Sequence, residues 1–275
     1  MKPKDRSRLK IILVCTVLVC LLAVLVDSFR RFLLPLKETA IVHTLEGGLE
    51  MWRSEFDVYP PSDANDPNGV PYCGAMRLCE ALMGRDLKGF HPKSAFRADG
   101  RDETGTRQLY PSDPDPNNLR ARSRWYFDED GLMIDGLVHR LSDIYGVGRT
   151  GPFDGNLPVL CDVFIRRHKT GIKAGMPLLY YRANPVSTVL DANNPDSPAN
   201  IFNYRDNHAL LALGTPRDAK ARHPLTDPSA FYKIVQARKE LQIRPDCAYL
   251  LISAGPDGLY GTKDDQGNFL PPKSQ

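Results

Sequence analysis

The apolar residues of the first quarter of the chain form a continuous run and then a helical repeat, and together these patterns predict one long helix. Residues Ile11 to Val26 are apolar except for Thr16. Further on, apolar side chains recur at steps of three or four residues, which places them on one face of a helix. They are Ile41, Leu45, Leu49, Trp52 and Phe56. We predict that this helix bends at Pro35 and ends at Tyr59–Pro61.

The charges before the apolar run predict a membrane anchor. Five basic residues precede it: Lys2, Lys4, Arg6, Arg8 and Lys10. Its sixteen residues would cover about 24 Å of helix. A hydrocarbon core is about 30 Å thick, so Leu9 and Phe29–Leu34 would have to extend the span. The basic flank favours a cytoplasmic N-terminus. A cleaved signal peptide is the alternative, but Val26–Ser28 is a poor cleavage site. We predict a single-pass inner-membrane protein with a periplasmic domain.

The rest of the chain predicts an α+β fold. Ala75–Met83 has the pattern of a short helix, and Asp227–Pro228 is a good helix start. Three stretches favour strands: Leu157–Arg166, Met176–Arg182 and Tyr249–Ala254. The predicted class is a long N-terminal helix, first transmembrane and then amphipathic, packed on a small antiparallel sheet with loop-rich insertions. The predicted segments are a basic tail (1–10), an anchor (11–34), an amphipathic helix (35–60) and an exported domain (61–275) with an insertion at about 89–173.

Charge and cysteine content narrow the functional classes. The net charge is +3 and the basic residues are dispersed, so we predict no nucleic-acid partner. Cys15 and Cys20 lie in the predicted anchor. Four cysteines fall in the exported part: Cys73, Cys79, Cys161 and Cys247. They allow three disulfide pairings, which the sequence cannot choose between, and free buried thiols fit equally well. No cysteine or histidine spacing is typical of zinc.

A glycine-rich acidic loop follows the last predicted strand. Gly255, Gly258 and Gly261 separate it into short turns. Its carboxylates are Asp257, Asp264 and Asp265. Clustered carboxylates repel one another unless a cation lies among them, and oxygen ligands on a flexible loop suit Ca²⁺. A solvated surface turn is the alternative, because Asp-Gly is a common turn dipeptide.

Four stretches of this sequence are similar to the major pseudopilin of type II secretion systems. Ile41–Pro60 resembles that family's helix end, which closes in Tyr-Pro, and Leu78–Gly84 resembles its next short helix. Met176–Arg182 resembles its first sheet strand. Ile252–Gly258 and then Gly261–Asp265 resemble its calcium loop.

This resemblance implies a fold, a cofactor and partners. It implies a Ca²⁺ held by the three carboxylates named above and by the carbonyls of Ala254 and Thr262. The implied partners are membrane lipid around the N-terminal helix, secretion or pilus assembly proteins, and further copies of the chain. The implied role is structural, through protein contacts.

The sequence also departs from the pseudopilin pattern. The family has a glycine before its cleavage site and a glutamate five residues into the apolar run. Here Arg8–Lys10 stands at the processing position, and no acidic residue interrupts the run. The resemblance therefore leaves open whether the chain is processed and polymerised or stays fixed in the membrane.

Catalytic motifs are missing from the sequence. It contains no HExxH, no Gly-x-Ser-x-Gly and no phosphate-binding loop, so we predict that the protein is not an enzyme. Asp113–Asn118 begins like an EF-hand but lacks its later glycine and glutamate, and we predict a plain loop. The alternative function is an exported enzyme or carbohydrate-binding module, with Phe127–Asp130 and Asp143 supplying carboxylates. A calcium-dependent adhesion or scaffold module is a third reading.

Overall fold

The computed structural model describes residues 3–126, 136–187, 189–236 and 248–269, with side chains from residue 15 onward except 23, 26–28, 30 and 31. The chain divides into two compact units, Met1–Glu38 and Thr39–Gln275. The first helix, α1, runs from Pro3 to Phe56 and contains Pro35. In the first unit many of its large apolar side chains are exposed, among them Val17, Leu18, Val19, Leu21, Leu22, Val24, Leu25 and Phe29.

The predicted membrane anchor is wrong. Within the part of the chain that the structure describes, no helix is long and apolar enough to cross a membrane. The apolar run Ile11–Val26 is short for a hydrocarbon core, and Asp27, Arg30 and Arg31 follow it. The predicted single-pass inner-membrane location, with a cytoplasmic N-terminus and a periplasmic domain, depended on such a helix and is wrong for the same reason.

The amphipathic stripe of α1 lies in the core of the second unit. Ile41, Leu45, Leu49 and Trp52 are at most 3% exposed. The Trp52 ring meets aromatic rings from the following loops, with centroid distances of 4.3 Å to Phe90, 6.0 Å to Phe96 and 5.6 Å to Tyr126. The Trp52 end of this face therefore packs against aromatic side chains of the loops.

In the part of the chain that the structure describes, the strands form three small antiparallel sheets. Strand β1 (Val138–Arg140) pairs with β2 (Pro158–Leu160), and β3 (Arg166–Arg167) pairs with β4 (Lys173–Ala174). The third sheet has the order β5 (Leu179–Arg182), β6 (Tyr249–Ser253) and β7 (Gln266–Gly267). Every residue of the central strand β6 is buried. The predicted fold class is wrong: the described residues form a mixture of helices and three small sheets, and no helix among them is long and apolar enough to span a membrane as the prediction required.

A short helix, α2 (Gly74–Met83), lies against one strand of the third sheet and one strand of the first sheet. All its residues are buried, and it packs on β5 and β2. It confirms the helix predicted at Ala75–Met83. A Cβ atom placed on Gly74 would lie 2.1 Å from the carbonyl oxygen of Tyr180, so the helix approaches β5 closely. Strand β5 is thus covered on one side by α2, a short helix of the second unit.

The remaining helices are short. They are α3 (Pro116–Arg120), α4 (Leu141–Tyr145), α5 (His208–Leu211) and α6 (Pro228–Gln236), with 3₁₀ turns at Tyr204–Asn207 and Pro224–Thr226. Helix α6 confirms the helix start predicted at Asp227–Pro228. The stretch Asp113–Asn118, predicted to be a plain loop, runs into α3, where the Asp115 carboxylate accepts the N–H groups of Asn117 (2.8 Å) and Asn118 (2.9 Å). The EF-hand-like stretch is therefore a helix start.

Cys73 and Cys79 are buried and carry free thiols, Cys161 is also buried, and Cys247 lies outside the described residues. Burial raises the pKa of Cys73 to about 11 and raises the pKa of Cys79 further. A buried thiol that stays protonated packs as a small apolar group and reacts poorly.

Candidate functional site

The acidic loop leaves the buried end of β6 and closes on itself. Gly255 has a φ of +63°, a conformation that L side chains rarely adopt. A Cβ atom there would lie 1.9 Å from the carbonyl oxygen of Asp264. The start of the loop and its last acidic residues are therefore in direct backbone contact, and only glycine allows that approach.

Asp265 organises the second half of the loop. Its carboxylate accepts the N–H of Gly261 at 2.7 Å and the N–H of Thr262 at 3.3 Å. Asp265 is only 7% exposed. Burial raises the pKa of Asp265 to about 7, the negative charge of Asp257 acts in the same direction, and the two backbone hydrogen bonds oppose the shift. Asp265 is thus a buried carboxylate in the electric field of a second carboxylate.

The other predicted ligands are differently placed. Asp257 is exposed, and its carboxylate accepts the N–H of Leu259 at 2.8 Å. Asp264 is half-buried, and its N–H donates to the Thr262 hydroxyl at 3.2 Å. Ala254 is fully buried, and the Thr262 carbonyl accepts the N–H of Asp265 at 3.5 Å.

The described residues contain no group of three or more His, Cys, Asp or Glu side chains placed to hold a metal ion. The structure therefore brings the predicted ligand residues into one closed loop without gathering their three carboxylates. The predicted membrane association is wrong, because no helix among the described residues is long and apolar enough to span a membrane. The same residues give no evidence of their own for a bound calcium ion or for a secretion system.

Arg166 is a functional residue that the sequence analysis missed. The guanidinium group of Arg166, from β3, donates through Nη2 to the carbonyl oxygen of Gly255. Its Nη1 lies 3.9 Å from Oδ1 of Asp162, and the side chain is 17% exposed. Because 89 residues separate Arg166 from Gly255, no local spacing pattern could have found the contact.

His223 fixes the middle of the loop from another side. Its ring is fully buried, its Nδ1 accepts the N–H of Tyr260 at 3.3 Å, and its Nε2 lies 3.2 Å from the carbonyl oxygen of Gly214. This geometry requires the tautomer in which Nε2 donates. Burial lowers the pKa of His223, which stabilises that neutral form. Tyr260 itself donates its hydroxyl to the carbonyl oxygen of Pro177.

The alternative acidic site is not assembled by the described residues. Phe127–Asp130 lies outside them. Asp143 accepts the N–H of Arg140 at 3.3 Å and so occupies the start of α4. Its carboxylate therefore caps the start of a helix.

Comparison with known proteins gave no relative from which a function could be transferred. No protein family, no curated protein and no solved structure matches the chain.

Proposed function

We propose that this chain is a non-enzymatic, pseudopilin-like structural protein whose C-terminal loop takes up a Ca²⁺ ion. In this proposal its activity is contact with other proteins of an assembly, and the ion stabilises the loop that closes the third sheet. The proposal keeps the structural role and the cofactor that the sequence motifs imply, without a membrane anchor.

The observation that carries the proposal is the closed loop around Asp265. A carboxylate that is 93% removed from water is costly beside a second negative charge unless it takes up a proton or a cation compensates it. The backbone contact between Gly255 and Asp264 already brings the two ends of the loop together. The candidate ligand atoms of the loop are carboxylate and carbonyl oxygens, and a hard cation such as Ca²⁺ prefers oxygen ligands.

The residues that would hold the ion are those that the motif implies: Asp257, Asp264 and Asp265 with the carbonyls of Ala254 and Thr262. When bound, Ca²⁺ would supply positive charge that neutralises carboxylate repulsion. The chain's own part is to position these oxygens, through the turns at the loop glycines and through the hydrogen bonds from Gly261 and Thr262 to Asp265.

A role in packing, without catalysis, also fits the buried acids elsewhere. The fully buried Glu80 accepts the hydroxyls of Tyr72 (2.5 Å) and Ser94 (2.6 Å). Asp206, also buried, accepts the hydroxyl of Ser62. Both carboxylates are used in internal hydrogen bonds between segments distant in sequence, as expected for groups that fix a fold.

The test is thermal unfolding of the full chain in saturating CaCl₂, in MgCl₂ and in excess EGTA. A ligand at 100 times its Kd stabilises by about 2.7 kcal/mol. In a protein of this size that raises Tm by roughly 5–10 °C. We expect this rise with calcium, and a smaller one with magnesium because Mg²⁺ requires stricter geometry.

The variant that should lose the calcium response is Asp264→Asn with Asp265→Asn, since amides keep the size of the side chains without the charge. Asp113→Asn is the control, because Asp113 is an exposed carboxylate in a different loop. A wild-type Tm that is the same in calcium and EGTA would refute the calcium role.

A further inference from the structure

One positive charge of the chain itself already lies against the acidic loop. The Arg166 guanidinium reaches from β3 to the carbonyl oxygen of Gly255, which directly follows the predicted carbonyl ligand Ala254. Its side chain is 83% buried, so the surrounding residues hold the guanidinium in this position. By contrast, the next residue, Arg167, is exposed on the opposite side of the strand.

The glycine pattern of the loop matches this guanidinium. A Cβ atom on Gly258 would lie 2.9 Å from Cζ and 3.0 Å from Nε of Arg166. Gly258 also has a φ of +74°. The loop therefore needs glycine at position 258 for two reasons: the turn requires it, and a larger residue would collide with Arg166.

Arg166 is anchored from behind by a fixed carboxylate. Asp162 is fully buried, and its Oδ1 accepts the N–H groups of Phe164 at 3.0 Å and Met176 at 3.1 Å. These bonds hold Oδ1 at 3.9 Å from Nη1 of Arg166. Nη1 itself is buried and has no hydrogen-bond partner among the described residues. The guanidinium is thus oriented by Asp162 and Gly255 rather than by solvent.

We infer that Arg166 is a built-in cation that keeps the start of the acidic loop seated when no metal is bound, and that it sets how strongly the loop depends on calcium. The second half of this statement rests on the proposed function. The first half does not, because the contact with Gly255 requires no metal. Without Arg166 the Gly255 carbonyl loses a charge-assisted hydrogen bond, and only a bound cation could restore order to this part of the loop.

The experiment compares Arg166→Gln with Arg167→Gln in the full chain. Both remove one arginine charge from the same strand, but only the first removes the contact with Gly255. Two measurements are made in excess EGTA and in saturating CaCl₂: the melting temperature, and the rate of tryptic cleavage after the exposed loop residue Lys263. Should Arg166→Gln fail to fold, Arg166→Lys keeps the charge and loses the forked geometry.

In EGTA we expect Arg166→Gln to be cleaved at Lys263 roughly tenfold faster than Arg167→Gln, because loss of a charge-assisted bond raises the open population of the loop by about that factor. Calcium should slow this cleavage more in Arg166→Gln than in the wild type.

Equal cleavage and equal melting of the two variants in EGTA would overturn the role of Arg166. A wild type and an Arg166→Gln variant that both ignore calcium would instead overturn the proposed calcium function and the calcium half of this inference. The EGTA comparison would still decide whether Arg166 holds the loop.

Discussion

The close approach of α2 to the third sheet allows one glycine substitution to be predicted in sign and size. A Cβ atom on Gly74 would lie 2.1 Å from the backbone oxygen of Tyr180 and 3.0 Å from Nδ2 of Asn207. The first distance is well over 1 Å shorter than ordinary van der Waals contact, which begins at 3.4 Å. Asn207 cannot simply turn away, since its amide donates to Tyr180 at 2.7 Å and accepts the N–H of Ala75 at 2.9 Å.

Gly74→Ala should therefore force helix α2 and strand β5 apart. Overpacking of this kind costs about 1–3 kcal/mol, and the upper end applies here because the clash is with backbone. Gly47→Ala is the matched control, since Gly47 lies in α1 with no atom within 4 Å of the added Cβ. Replacing glycine by alanine in an exposed helix should stabilise by about 0.8–1 kcal/mol.

The assay is urea unfolding of both variants and the wild type, followed by tryptophan fluorescence and by far-UV circular dichroism. The free energy of unfolding should fall for Gly74→Ala and rise for Gly47→Ala, with similar m-values. Two variants that shift the midpoint in the same direction would refute the idea that α2 is seated directly on the backbone of β5.

Three further predictions follow from buried groups. Leu49→Ala should cost about 2–5 kcal/mol in urea unfolding because Leu49 is fully buried, whereas Met51→Ala, on the exposed side of α1, should cost under about 0.5 kcal/mol; equal losses would contradict the buried stripe. Burial raises the pKa of Asp206 well above its usual 3.8, Asp63 adds to the rise and Arg77 opposes it, so the native state holds a proton that the unfolded chain loses. Its contribution to stability should therefore fall as the pH rises above 3.8, and Asp206→Asn should become more stable relative to the wild type as the pH rises from that value in urea titrations. A constant difference in the free energy of unfolding would contradict this. Burial lowers the pKa of His223 below its usual 6.5, so its contribution should be lost as the pH falls below 6.5, and His223→Gln should flatten that part of the stability curve; an unchanged slope would count against the neutral buried ring.

Local patterns predicted several elements and few of their contacts. The spacing of Ile41, Leu45, Leu49 and Trp52 predicted a buried helical face, because burial on one side of a helix requires that spacing. The same pattern could not predict what covers the face, and at Trp52 the neighbours are aromatic side chains of loops. The apolar run at the N-terminus misled the prediction, because apolar composition was interpreted as a membrane span.

The acidic loop, too, was predictable in its local features but not in its three-dimensional arrangement. Glycines and carboxylates within a few residues of one another are visible in the sequence, since turn formation and charge density are local properties. Whether three carboxylates converge depends on backbone angles that composition leaves open, and in the described residues they do not form a metal-holding group. The sequence thus predicted where the chain would turn and concentrate charge.

Only the tertiary structure determined which distant side chains contact the acidic loop. Arg166 and His223 reach it from positions 89 and 37 residues away from their partners, through a two-stranded sheet and a 3₁₀ turn that local propensity does not order in space. Such contacts arise because the packing of elements such as α2 on β5 and β2 fixes the relative positions of distant segments, and each buried polar group then pairs with a partner that lies within reach. Periodicity determines which face of an element is apolar, whereas the packing of elements against one another determines its neighbours.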